Sequence, residues 1–180
     1  MRKTLLAIFI FTVVIGLTPL FGADRSPISI NLIIDGSDSL TAVKTDVTSW
    51  ISGRLDQLLA DGDRVTIWSA GGQAKVIYSG TMAAPADREA AKKSIRDLTG
   101  AGATADFSGA LGQAANIQSA TFSYTLLVCA SSAALSNLIS GPQSSLMRFS
   151  RVEEFSGWKA IVVGLNLDER VRSAAAAFFR

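Results

Sequence analysis

The chain has 180 residues, no histidine, one cysteine (Cys129), 17 Lys+Arg and 15 Asp+Glu. The missing histidine excludes Ser-His-Asp and Cys-His catalysis, histidine-ligated zinc or haem, and a histidine pH switch. A lone cysteine excludes an internal disulfide and any CxxC redox or zinc motif, while 48% hydrophobic residues supply a core and exclude a disordered chain.

Arg2 and Lys3 precede Thr4 to Ala23, a stretch of 20 uncharged residues interrupted by Gly16 and Pro19. A short basic start followed by an apolar run is the pattern of a secretory signal peptide. The run also has the length that crosses a bilayer, about 20 residues. Residues 1–23 are therefore expected to be a cleaved leader or a retained membrane anchor, with a single domain over residues 24–180. Either way the domain lies outside the cytoplasm: secreted or periplasmic, or membrane-anchored if the leader is kept. Setting aside Arg2 and Lys3 leaves 15 basic against 15 acidic residues, a neutral domain with its cations scattered. It has no basic patch for nucleic acid.

Strand and helix signals then alternate. Ile28 to Ile34 is an almost continuous aliphatic run closed by Asp35, the pattern of a strand buried on both faces. Val43, Val47, Trp50, Ile51, Leu55, Leu58 and Leu59 recur at helical spacing, and Asp61-Gly62 ends that helix. Arg64–Ser69 and Ala74–Ser79 flank Gly71-Gly72 as a hairpin. Pro85–Leu98 reads as a second helix with Lys92 and Lys93 on its exposed face, and Gly100–Thr104 as a glycine-rich loop. Asp106–Ile117 is a third helix, and Tyr124–Ala130 and Ala160–Leu165 are two further buried strands. Leu135–Phe155 is mixed, with helical character and a break at Gly141-Pro142, and Asp168–Phe179 is an alanine-rich last helix. Cys129 and Trp50, Trp68 and Trp158 fall within these patterns as core residues.

Alternating strands and helices predict an α/β fold: three layers, doubly wound, with a mainly parallel sheet and one antiparallel edge strand. Ligands of such sheets bind outside the carboxyl ends of the strands, near the switch in strand order. The residues placed there are Asp35, Gly36, Ser37, Asp38 and Ser39, then Thr104, then Ser131 and Ser132.

IIDGSDSL, at the end of the first buried strand, resembles the D-x-S-x-S signature of von Willebrand factor type A domains. The RVTIWSAGGQAKVIYSG hairpin, the GAGAT loop and the AIVVGL strand follow in that family's order, so the resemblance runs from Ile28 to about Phe179. It implies a Rossmann-like fold and a metal ion-dependent adhesion site. Asp35 would anchor Mg²⁺, Ser37 and Ser39 would bind it directly, and Thr104 would add a fourth oxygen. An acidic side chain from a protein partner would complete the coordination. Magnesium suits such a set because it takes six oxygens and keeps several waters beside one or two carboxylates.

Two positions depart from the family pattern. Ala130 or Ser131 stands where the family has a second aspartate, and no hydroxyl replaces that charge. Thr104 lies seven residues before Leu111, one more than the pattern, unless Ala105 takes the threonine position. Asp106 is either a substitute acid or the cap of helix three. A plain structural role is also open to Asp35, Ser37 and Ser39, as the cap of helix one.

Three functions follow from this reading. The first is an extracytoplasmic protein–protein interaction or adhesion module, with Mg²⁺ in the D-x-S-x-S loop. The second is the same fold as a metal-independent scaffold subunit of an envelope assembly. The third, a phosphotransferase-type enzyme using Asp35, is disfavoured: such enzymes need D-x-D, and Ser37 stands at the second position. No enzyme is therefore expected.

Overall fold

A computed structural model describes residues 9–12, 25–117, 123–140, 146 and 159–179. In chain order the elements are β1 (Phe9–Thr12), β2 (Ser29–Asp35), α1 (Leu40–Leu58), β3 (Arg64–Ala70), β4 (Ala74–Thr81), α2 (Pro85–Arg96), α3 (Phe107–Asn116), β5 (Ser123–Cys129), α4 (Ser132–Ile139), β6 (Lys159–Gly164) and α5 (Glu169–Phe178).

One sheet carries them in the order β1-β6-β5-β2-β3-β4. β2 pairs in parallel with both β3 and β5, and β5 with β6. β4 returns antiparallel along β3 as the expected edge strand. From β2 the chain proceeds outward to β3 and β4, then crosses back to β5 on the other side of β2. The switch in strand order therefore falls between β2 and β5, where an open α/β sheet leaves a crevice at its strand ends.

Alternation along the strands sorts two cores. Leu32, Ile34, Val65, Ile67 and Val128 face α1 and α2, packing against Leu40, Val47, Ile51 and Ile95. Ile33, Trp68, Leu127, Cys129 and Val162 face the other way, against Phe107, Leu111, Leu135 and Val171. Fully burying one such aliphatic side chain contributes about 1.5–3 kcal/mol, so the strands hold two helical layers without bound groups. Trp68 and Cys129 are core residues as the sequence predicts, and Trp50 packs partly buried on the first core; Trp158 lies outside the described residues.

Three differences from the sequence reading have physical reasons. β1 adds a second antiparallel edge, on β6, inside the apolar run; an uncharged run has no period that separates strand from helix. Lys92 is not simply exposed. Its ammonium reaches from α2 to Asp56 on α1, as well as to Glu89 on its own helix. Of the mixed stretch 135–155, α4 accounts for the start and ends at Ile139; Gly141, Pro142 and the rest, Leu146 excepted, lie outside the described residues. Within the expected leader, residues 1–8 and 13–23 lie outside them too. Among the described residues no helix is long and apolar enough to cross a membrane.

Candidate functional site

Asp35 is the last residue of β2 and has no solvent exposure. Both of its carboxylate oxygens are engaged by backbone. Oδ1 accepts the Ser37 amide at 2.9 Å, and Oδ2 accepts the Ala130 amide at 3.0 Å. The first bond turns the chain sharply out of β2; the second reaches across the strand-order switch to the end of β5. Beside it Cys129 is fully buried, and burial first, then the Asp35 charge, push its thiol well above the ordinary range. A thiol held protonated is no metal ligand.

Three loops meet over Asp35, and backbone hydrogen bonds join them. The Gly36 amide donates to the Ala70 carbonyl at 2.9 Å, and the Gly36 carbonyl accepts from Ala101 at 2.7 Å. The Ala101 carbonyl in turn accepts from Gly72 at 2.7 Å, and Gly102 accepts from Asp38 at 2.9 Å. Glycine permits this approach. A Cβ on Gly71 would stand 2.7 Å from the Ala101 carbonyl oxygen, and Gly102 adopts φ +90°, a left-handed conformation that side chains disfavour.

The predicted ligands are distributed unevenly on this frame. Ser37 is 2% exposed, and its amide is the one that Asp35 Oδ1 accepts. Ser39 is half-buried just before α1, and Thr104 is exposed on the glycine-rich loop. Reading these residues as the cap of helix one is not supported. Ser39 makes no side-chain cap, and Asp35 bonds an amide that precedes the helix. Asp106 is a cap: Oδ1 accepts the Gly109 amide at 2.8 Å, and Oδ2 accepts Ala74 at 3.3 Å. Ser131 likewise caps α4 by accepting from Ala134 at 3.2 Å.

Sequence reasoning missed the Ala130 amide, because a backbone donor leaves no mark on residue type. It took the glycines at 36, 71, 72 and 102 one turn at a time, although their clustering into three short loops was the available signal of close loop packing.

No family model matches the sequence, and no curated protein matches it. Solved structures do. A von Willebrand factor type A protein from Catenulispora acidiphila superposes with TM-score 0.63 at 16% identity, covering 97% of this chain and 44% of that one. The chain has the von Willebrand factor type A fold. The conserved hypothetical protein BatB from Bacteroides thetaiotaomicron gives TM-score 0.56 at 16% identity, over 75% of this chain and 65% of its own. Proximal thread matrix protein 1 from the mussel byssus gives 0.61 at 11% identity, over 83% and 41%. The chain thus spans 44% and 65% of the first two structures.

Does this version of the type A fold suit magnesium? The hydroxyls of the D-x-S-x-S loop are present, but the Asp35 carboxylate is not left free beside them. Asp35 is buried with both oxygens bonded to amides, Asp106 is spent on its cap, and neither Ala130 nor Ser131 supplies a second acid. Among the described residues no three acids, cysteines or histidines gather in a metal-holding group. Magnesium gives up its water reluctantly and relies on carboxylate charge, so this donor set does not fit it.

Proposed function

We propose that this chain is a protein–protein interaction module that acts outside the cytoplasm and meets its partner at the loop edge above Asp35. The observation that carries this reading is the rigid joining of three loops at the strand-order switch. A surface fixed before binding loses little conformational freedom on association. The fold supports the reading, as does the exposure of Asp38 and Thr104 on two of the joined loops. The basic start and apolar run of residues 1–23 support the location. A metal-independent scaffold subunit of an envelope assembly is the form that agrees best with the engaged Asp35 carboxylate.

The second reading keeps Mg²⁺ at Asp35, Ser37, Ser39 and Thr104, completed by a partner's acid. The placement of Ser37 and Ser39 on the loop directly after Asp35 is the observation on its side.

Photo-crosslinking in cells tests the location of the surface. A crosslinking residue at Thr104 should give a discrete adduct recovered with the cell envelope or medium. The same residue at Gly53, exposed on α1 with open space around it, should give none. Equal labelling at both positions, or adducts only with cytoplasmic proteins, overturns the proposal.

A further inference from the structure

We infer that Asp35 is a positioning residue that does internally what an ion does in an adhesion site: it ties the ends of two loops together, and the loop edge is built without metal. The inference concerns how the surface is held, so it stands or falls separately from the partner-binding reading.

Asp35 lies at the strand-order switch and bonds an amide 95 positions away, at the far side of the crevice. Its second amide bond fixes the first turn of the loop that carries Ser37 and Ser39. Hydrogen bonds to an ionised acceptor are about twice as strong as neutral ones, and a buried carboxylate without them would be costly. Two amide donors converging on one carboxylate therefore reverse the usual polarity of such a site. A metal site gathers negative groups around a cation; here positive ends of peptide dipoles gather around an anion.

Ala130, one of the two positions open to the missing second acid, agrees. The Ala130 side chain is 2% exposed and belongs to the core cluster with Leu32, Ile34, Leu40 and Val128. A carboxylate there would sit among aliphatic groups. What residue 130 contributes to the site is its amide, a donor that binds Asp35 itself. The other joins between the loops are backbone hydrogen bonds through Gly36, Gly71, Gly72, Ala101 and Gly102 and the bond from the Ala74 amide to Asp106, none of which calls for a cation.

Amide exchange followed by NMR, together with thermal melting of the full domain, tests this. The natural chain should melt at the same temperature in EDTA and in millimolar magnesium. In Asp35→Ala the Ser37 and Ala130 amides should exchange faster by roughly tenfold or more, as expected on losing a hydrogen bond to a charged group. Amides of the β3–β4 hairpin should keep their protection. Asp35→Asn, which retains one acceptor oxygen and the side-chain shape, serves if the alanine variant does not fold; it should lose protection at one of the two amides. Magnesium raising the melting temperature of the natural chain but not of Asp35→Asn overturns the inference. So does unchanged Ala130 protection in Asp35→Ala, or unchanged protection of both amides in Asp35→Asn. Either result leaves the Thr104 crosslinking outcome unaffected.

Discussion

Among the described residues two aspartates have no solvent exposure, and they are accommodated in different ways. Asp35 is met by amides alone. Asp63, at the opposite end of the sheet, receives the Arg25 guanidinium, with Nη1 at 2.8 Å from Oδ1 and Nη2 bonded to Oδ2. Its oxygens also accept the Ile28 amide at 3.0 Å and the Ala60 amide at 2.8 Å. This one side chain thereby fastens the segment entering β2 to the turn between α1 and β3. Removing one partner of a buried ion pair strands the other, at a cost of about 3–5 kcal/mol. Asp63→Ala should lose stability near that range in urea unfolding; a loss under about 1 kcal/mol, the worth of an exposed pair, would contradict it. The sequence singled out Asp35 because a motif surrounds it. It gave no reason to single out Asp63, whose partner lies 38 positions away. Burial of an acid follows from long-range closure, which residue type does not encode.

Among elements, the strands and helices were legible because each bears its own period. The first strand, the hairpin and the helices fall within a few residues of their apolar patterns, and boundaries move where a side chain bonds backbone. β5 stops at Cys129, not Ala130, because the Ala130 amide turns to Asp35. The helix starting near Asp168 begins one residue later, since Asp168 is its cap and accepts the Val171 amide at 2.9 Å. That bond first, and the Ser132 hydroxyl next, hold the Asp168 carboxyl below its ordinary 3.8. A carboxyl lowered in the folded state adds stability above its unfolded pKa, and that contribution disappears as pH falls through the lower, folded value. An NMR titration of the Asp168 side chain should therefore show a midpoint under 3.8, and Ser132→Ala should raise it. A midpoint at or above the ordinary value would remove the cap from the account.

For the whole molecule, composition indicated a neutral domain and element order indicated a mainly parallel sheet, but neither determines strand order. Any of several strands could lie beside β2, and the pairing is chosen by the packing of both faces at once. The edges of the sheet are β1, which pairs with β6, and β4, which among the described residues has β3 on one side only. Lys75 is exposed on β4, Val76 is 43% exposed, and the register with β3 shifts between Ile67 and Trp68. Edge lysines and irregular register are devices that discourage strand-to-strand association. Lys75→Val should increase self-association in sedimentation velocity relative to the natural chain at matched concentration. Identical sedimentation would assign that role to the register shift alone.

The hydrogen bond from Ala130 to Asp35 also has a meaning in time. The β3–β4 hairpin closes over a few residues, but β5 must return across the whole first half of the chain before it can lie against β2. Non-local pairings of this kind form late, since loop closure must precede the contacts that reward it. The Oδ2 of Asp35 therefore gains its Ala130 partner only when β5 docks against β2, whereas the bond from the Ser37 amide to Oδ1 is local. The surface above it takes its final shape only as the last parallel strands dock, so a chain caught before that step has a complete hairpin and no loop edge.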